Sequence, residues 1–283
     1  MDSADSSVAS GQAGMADING NQLRYRLTGE GPLVVFGHGL LGRIEDLQRY
    51  FEGLDPLLAQ VRLLAYDARG HGESGGPESP AAYTWETLGR DMSSMIGFAG
   101  RERAIVGGVS MGAASAIWLA VERPERVKAL VAMMPPPLGF PAMRTPGEQR
   151  AITALDFLAS AVENYGIETA IEVVKAVPGF GADAGDADER AAWLRSQNPL
   201  TLKYAIRGLI DATPHDPECY SRIKVPTIVF GHEGDDLHPM RAAKLLADRV
   251  PGSHLLEGPT ADYWMTHKDE VLRELEGFLA RVG

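Results

Sequence analysis

Cysteine is nearly absent. Cys219 is the only one in 283 residues, so no disulfide can close within the chain and no cysteine-based metal site can form. Its neighbours Glu218 and Tyr220 give no reason to read it as a nucleophile. This usage fits a reducing, cytoplasmic setting. Long apolar runs are also missing. No uninterrupted stretch reaches the roughly 20 residues that a membrane-spanning helix requires. The first residues have neither the basic nor the apolar region of a signal peptide. Residues 1–14, mostly Ser, Ala, Gly and Asp, read as a disordered tail. Positive charge is in short supply: 27 Lys and Arg against 38 Asp and Glu leave a net charge of -11. That balance argues against a nucleic-acid partner and against binding to anionic membranes.

What is present is ordinary for a globular protein, 45% apolar and 23% charged, and long enough for one large core or a core with an insertion. Buried apolar runs alternate with helical patterns. Residues 16–27 read as a hairpin turned at Asn19-Gly20, with Leu23, Tyr25 and Leu27 on one face. The apolar runs 33–36, 61–66, 105–109, 127–134, 227–230 and 254–256 are the buried strands of a parallel sheet. Residues 45–60 read as a helix broken near Gly53 and Pro56, and residues 85–98 as a helix capped by Thr84. Residues 240–249 and 268–280 read as the last two helices. Strand–helix alternation predicts an α/β fold in which ligands bind beyond the C-terminal ends of the strands.

The rhythm stops between about 136 and 220. This stretch is helical in pattern, over 148–164, 167–176 and 187–196, with no buried strand. It is expected to form a cap inserted into a core made of 15–135 and 221–283. Phe140, Met143, Phe157, Phe180 and Trp193 could line a partly apolar pocket from above, although packing the cap is the commoner role for any one of them.

The chemistry-bearing stretch is Gly108-Val109-Ser110-Met111-Gly112, between an apolar strand and a helix-forming run at 113–121. In that context G-x-S-x-G is a nucleophile elbow: the glycines let strand and helix backbones approach around a strained serine. The Met111 N–H, at the helix start, can face a developing oxyanion. The plainer alternative is a glycine-rich turn whose serine caps the helix. Three other turns lie at strand ends: His38-Gly39-Leu40, Asp67-Ala68-Arg69-Gly70-His71-Gly72-Glu73-Ser74, and residues 231–239, with Asp235 four residues before Pro239.

Together these motifs resemble the α/β-hydrolase fold superfamily of the serine esterase, lactonase and C–C hydrolase kind, over residue 16 to the C-terminus. The resemblance implies a mostly parallel sheet flanked by helices, with an inserted helical cap. It implies Ser110 as nucleophile, the Leu40 and Met111 amides as oxyanion hole, and Asp235 as the triad acid, with Asp236 the adjacent alternative. His38, Asp67, Arg69 and His71 match framework residues that hold loops. The implied substrate is a small, partly apolar carboxylic ester or lactone, with C–C bond hydrolysis by the same residues as the alternative, and with no metal or organic cofactor.

One position departs from the pattern. The family's histidine base follows the last strand, and the matching place here is Ala261, beside Asp262. Among the seven histidines, His38 and His71 belong to framework motifs, His232 and His238 flank the acid, His215 accompanies the cap and His254 opens the last strand at the sheet's far end. His267 is left as the nearest substitute. No histidine pair shows metal-ligand spacing with a carboxylate. Three explanations follow: an inactivated histidine-to-alanine variant of a serine hydrolase, a non-hydrolytic or ligand-binding protein on the hydrolase scaffold, or another histidine reaching the site.

Overall fold

A computed structural model describes residues 11–176, 187–211 and 216–282. Its frame is an eight-stranded sheet in the order β1-β2-β4-β3-β5-β6-β7-β8. The strands are β1 (Gln12–Ile18), β2 (Asn21–Thr28), β3 (Leu33–Gly37), β4 (Arg62–Tyr66), β5 (Ala104–Val109), β6 (Val127–Met133), β7 (Thr227–His232) and β8 (His254–Gly258). β1 and β2 are antiparallel, β2 pairs antiparallel with β4, and every other pairing is parallel. β3, β5 and β7 are buried along their whole length, as central strands covered on both faces must be.

The β1–β2 turn is made by Asn19 and Gly20, both at positive φ, the conformation a two-residue hairpin turn requires. β1 begins at Gln12, inside the stretch expected to be a disordered tail. Gln12, Ala13 and Gly14 pair with Leu27, Arg26 and Tyr25 of β2. Backbone pairing extends the ladder although the side chains of Gln12 and Ala13 are exposed, so apolar patterning carries no sign of it.

Between strands run α1 (Gln48–Phe51), α2 (Asp55–Leu58), α3 (Trp85–Phe98) and α4 (Met111–Glu122). The first two are single turns separated at Gly53, whose φ is +79°. α3 is capped by Thr84, whose hydroxyl accepts the Thr87 amide. α4 is apolar almost all round and buried along its length, the property of a helix laid on the sheet's centre. After β7 come α8 (Met240–Arg249), β8, α9 (Tyr263–Thr266) and α10 (Lys268–Val282).

Between β6 and β7 lie α5 (Pro146–Ala176), bent at Gly166, α6 (Ala187–Arg195) and α7 (Pro199–Asp211). They share a hydrophobic cluster of their own, built on Leu155, Leu158, Val162, Ile171, Leu194 and Ile206, into which Leu41 of the β3–α1 loop inserts. Polar ties join the insertion to the core. Trp193 Nε1 donates to Asp46, Thr201 Oγ donates to the Gly70 carbonyl, and Arg241 grips Glu148 through both carboxylate oxygens. Phe157 is 55% exposed, and Phe140 and Met143 are each 42% exposed, so Phe157 turns more to solvent than to a pocket. Phe180 and His215 lie outside the described residues.

Candidate active site

The site forms at the C-terminal edge of β3, β5 and β7. Ser110 follows β5 with φ 52° and ψ −110°, a backbone state costing on the order of 1–3 kcal/mol unless its surroundings impose it. Here they do. The Ser110 amide donates to the Met133 carbonyl, the Gly112 amide to the His38 carbonyl and the Ala114 amide to the Ser110 carbonyl. A Cβ on Gly112 would lie 2.2 Å from the Gly37 oxygen, and one on Gly108 would lie 2.5 Å from the Gly112 carbonyl carbon. Only glycine lets β3, β5 and α4 converge so tightly, and that convergence lifts the serine out of the sheet. Leu41, in the loop after β3, and Met134, directly after β6, also have positive φ, so the strain gathers at this edge.

Gly39 sits against the serine; a Cβ there would be 3.6 Å from Ser110 Cβ. The Gly39 carbonyl accepts from His38 Nδ1 at 2.7 Å and from the Gly42 amide at 2.9 Å. Because the peptide is trans and planar, pinning that oxygen fixes the opposite direction of the Leu40 N–H. Met111 opens α4, so its N–H belongs to the first helical turn and has no intrahelical acceptor.

The framework residues hold the neighbouring loops. His38 Nε2 accepts the Ala68 amide, and burial lowers the His38 pKa to about 4. The buried Asp67 carboxylate accepts the Ile44 and Glu73 amides. Arg69 and Asp91 form a buried two-pronged pair at 2.6 and 2.7 Å. His71 donates through Nδ1 to the Arg69 carbonyl, its Nε2 has no hydrogen-bond partner, and burial lowers its pKa to about 3.

The acid loop runs from the end of β7. A bridge between His232 and Pro239 closes it. Asp235 Oδ1 accepts the Leu237 amide at 2.7 Å and the His238 amide at 3.3 Å, an Asx-type turn that folds the chain back. The turn delivers His238 onto the acid that precedes it. His238 Nδ1 donates to Asp235 Oδ2 at 2.6 Å, and Ser110 Oγ lies 2.8 Å from His238 Nε2. Burial alone would raise the Asp235 carboxyl, but the His238 hydrogen bond and charge and the Leu237 amide outweigh it and hold the group at about 2.

This geometry corrects the expectation at position 261. A histidine does stand between Ser110 and Asp235, and it is His238, from the loop that supplies the acid. Ala261 is exposed beside that loop, its amide 4.0 Å from a Cβ built on Gly234. His267 is elsewhere: its ring stacks on Tyr263, and its Nδ1 meets Thr266 Oγ and the Tyr263 carbonyl. Asp236 turns away to Arg150 and packs against Gly147 of α5. The expected lack of a histidine pair spaced around a carboxylate is corrected too. His232, Asp235 and His238 present ligand atoms all within 4.8 Å of one another. The sequence signal for both was the same, two histidines each three residues from Asp235, and only the turn gives it meaning.

The chain matches the family model of the alpha/beta hydrolase fold over residues 32–261, and it belongs to that family. It is 27% identical to proline iminopeptidase PfmaB of Pestalotiopsis fici, covering 94% of this chain and 98% of that protein. Among solved structures, an enol-lactonase from Burkholderia xenovorans LB400 superposes with a TM-score of 0.73 at 23% identity, covering 94% of this chain and all of the other. A thermophilic esterase from Thermogutta terrifontis gives 0.76 at 20% identity, covering 96% and 99%. These two likenesses concern the fold. Among the described residues no helix is long and apolar enough to cross a membrane.

Proposed function

We propose that this protein is a serine hydrolase of small, partly apolar carboxylic esters or lactones, with Ser110 as nucleophile, His238 as general base and Asp235 as the acid that orients it. The observation that carries the reading is the unbroken relay Ser110 Oγ–His238 Nε2 at 2.8 Å and His238 Nδ1–Asp235 Oδ2 at 2.6 Å.

The chemistry follows from the protons. Asp235 holds the Nδ1 proton, so Nε2 is bare and can accept the Ser110 proton as Oγ attacks the carbonyl carbon. The imidazolium that forms is stabilised by the adjacent carboxylate. The oxyanion faces the N–H groups of Leu40 and Met111; removing one such donor typically costs about 3–4 kcal/mol. Nε2 then returns its proton to the leaving alkoxide, which stays tethered if the substrate is a lactone. Water, deprotonated at the same nitrogen, releases the acyl group from Ser110. α5, α6 and α7 act as the cap that covers the acyl group, and Leu41 carries the contact between cap and oxyanion loop. A single cysteine fits a cytoplasmic location for this chemistry.

The alternative of an inactivated or non-hydrolytic chain rests on alanine at position 261; the His238 ring beside Ser110 supports an active chain instead. The test is hydrolysis of nitrophenyl acetate, butyrate and hexanoate and of simple lactones. Activity should be present in the native chain and lost in Ser110→Ala and in His238→Ala. Activity that survives His238→Ala would overturn the assignment of the base, and silence of the native chain across both substrate classes would overturn the reaction class.

A further inference from the structure

The back of the relay holds a group that the proposed hydrolysis leaves idle. His232, at the end of β7, is 1% exposed. Its Nδ1 donates to the Glu233 carbonyl at 3.2 Å. In a neutral imidazole that fixes the tautomer and leaves Nε2 as a bare lone pair. Nε2 is aimed at Asp235 Oδ2, 4.0 Å away. Two electron-rich atoms thus face each other with no proton of their own between them. The third atom of the cluster, His238 Nδ1, lies 2.6 Å from the same oxygen.

We infer that His232 Nε2, Asp235 Oδ2 and His238 Nδ1 form a binding site for a borderline-soft divalent ion of the zinc type, and that the ion switches the hydrolase off. The inference rests on the Ser110–His238–Asp235 reading.

The donor set suits zinc: two imidazoles and a carboxylate are common zinc ligands, with a fourth position left for water. Ligand distances of about 2.0–2.2 Å place ligand atoms roughly 3.3 Å apart around a tetrahedral ion. The separations from Asp235 Oδ2, 2.6 and 4.0 Å, bracket that value, and all three ligand atoms lie within 4.8 Å of one another, so closing them on an ion takes changes in separation of about 1.5 Å or less. The Glu233 carbonyl behind His232 is the outer-shell partner that orients a ligating histidine. Hard ions such as Mg²⁺ prefer oxygen cages and would pass the site by.

Inhibition follows from the tautomer. An ion on His238 Nδ1 displaces the proton that Asp235 holds there. The neutral ring then carries its single proton on Nε2, transferred through solvent. Nε2–H can donate to Ser110 Oγ but can no longer take its proton. Nothing is oxidised and no covalent bond to carbon changes; one ring proton has moved from Nδ1 to Nε2.

The test separates metal binding from turnover. Zn²⁺ is titrated calorimetrically into Ser110→Ala, which keeps the ligand set and cannot turn over, and Co²⁺ is added to the same protein to read the visible absorption of tetrahedral coordination. We expect one ion per chain, and at least about a tenfold loss of affinity when His238→Ala or His232→Phe is added. In the native chain Zn²⁺ should inhibit nitrophenyl acetate hydrolysis and EDTA should restore it. If His232→Phe fails to fold, as judged by circular dichroism, His238→Ala decides alone, since its ring is one-fifth exposed. Absence of saturable binding to Ser110→Ala, or binding indifferent to His238→Ala, overturns the site. Saturable, His238-dependent binding in a chain whose native form hydrolyses nothing would uphold the metal site and sink the esterase reading instead.

Discussion

Two loops lie side by side beyond the sheet and have opposite contents. The loop after β8, at 259–262, is where the sequence pattern leads one to expect a histidine base, yet it presents the exposed methyl of Ala261. It is nonetheless well anchored: Trp264 is buried, donates to the Gly231 carbonyl and meets Phe230 edge to face at 5.2 Å. The loop after β7 carries acid and histidine together and is held from outside by the insertion. Glu148, with its side chain 1% exposed, takes Arg241 at 2.6 Å, and Thr145 and Glu148 cap α5 reciprocally. A histidine can thus be brought against Ser110 from the loop that also carries Asp235. A short turn with a carboxylate at its start can place it.

The comparison can be broken most severely at His238. His238→Ala should lower kcat by up to about 10⁶, the typical cost of removing a triad base, read as nitrophenyl ester turnover. Adding Ala261→His to that variant sharpens it: recovery of about tenfold or more would show that both loops can address Ser110. Asp235→Asn, which frees the His238 tautomer, should cost about 10⁴ in kcat. Asp236→Asn at the same turn should leave kcat nearly intact, because that carboxylate faces Arg150.

Arg241→Met strikes the clamp. It strands a buried carboxylate, and with Arg241 itself 36% exposed the cost is discounted to about 2–3 kcal/mol in denaturant unfolding. Acid titrates the framework on the other side of the site. His38 and His71 are held neutral by burial, at about 4 and about 3, whereas the unfolded rings take up protons below about 6.5. Their stabilisation is therefore complete above that value and declines as pH falls. The slope is up to about 1.4 kcal/mol per pH unit for each ring, ending near the folded values, and thermal melts between pH 7 and 4 would show it. The smallest effect belongs to Ala261→His alone, which should change kcat/KM by less than about threefold, under 1 kcal/mol.

Much of this was visible in the chain itself because local chemistry dictated it. Gly108, Ser110 and Gly112 announced the elbow through steric need, and Asn19-Gly20 announced a turn that requires positive φ. Thr84 capped α3 where the periodicity began, and α8 spans the residues expected. What stayed hidden depends on long-range geometry. The start of β1 at Gln12 is written in backbone pairing to β2 and not in side chains. His238 could be counted as a neighbour of Asp235, but its direction is set by the Asx-type turn, the His232–Pro239 bridge and the α5 clamp, none of which spacing reveals. His267 looked nearest to the missing base along the chain, and the stack on Tyr263 takes its ring elsewhere.

The closeness of acid and histidine changes the chain statistics of assembling the site. The Asp235–His238 contact spans 3 residues, and the contact of His238 with Ser110 spans 128. Closure entropy grows with the logarithm of loop length, so a relay drawn from three distant loops must meet two such conditions. Here one is met within a single turn, which leaves only the long-range contact between that turn and the elbow to be closed.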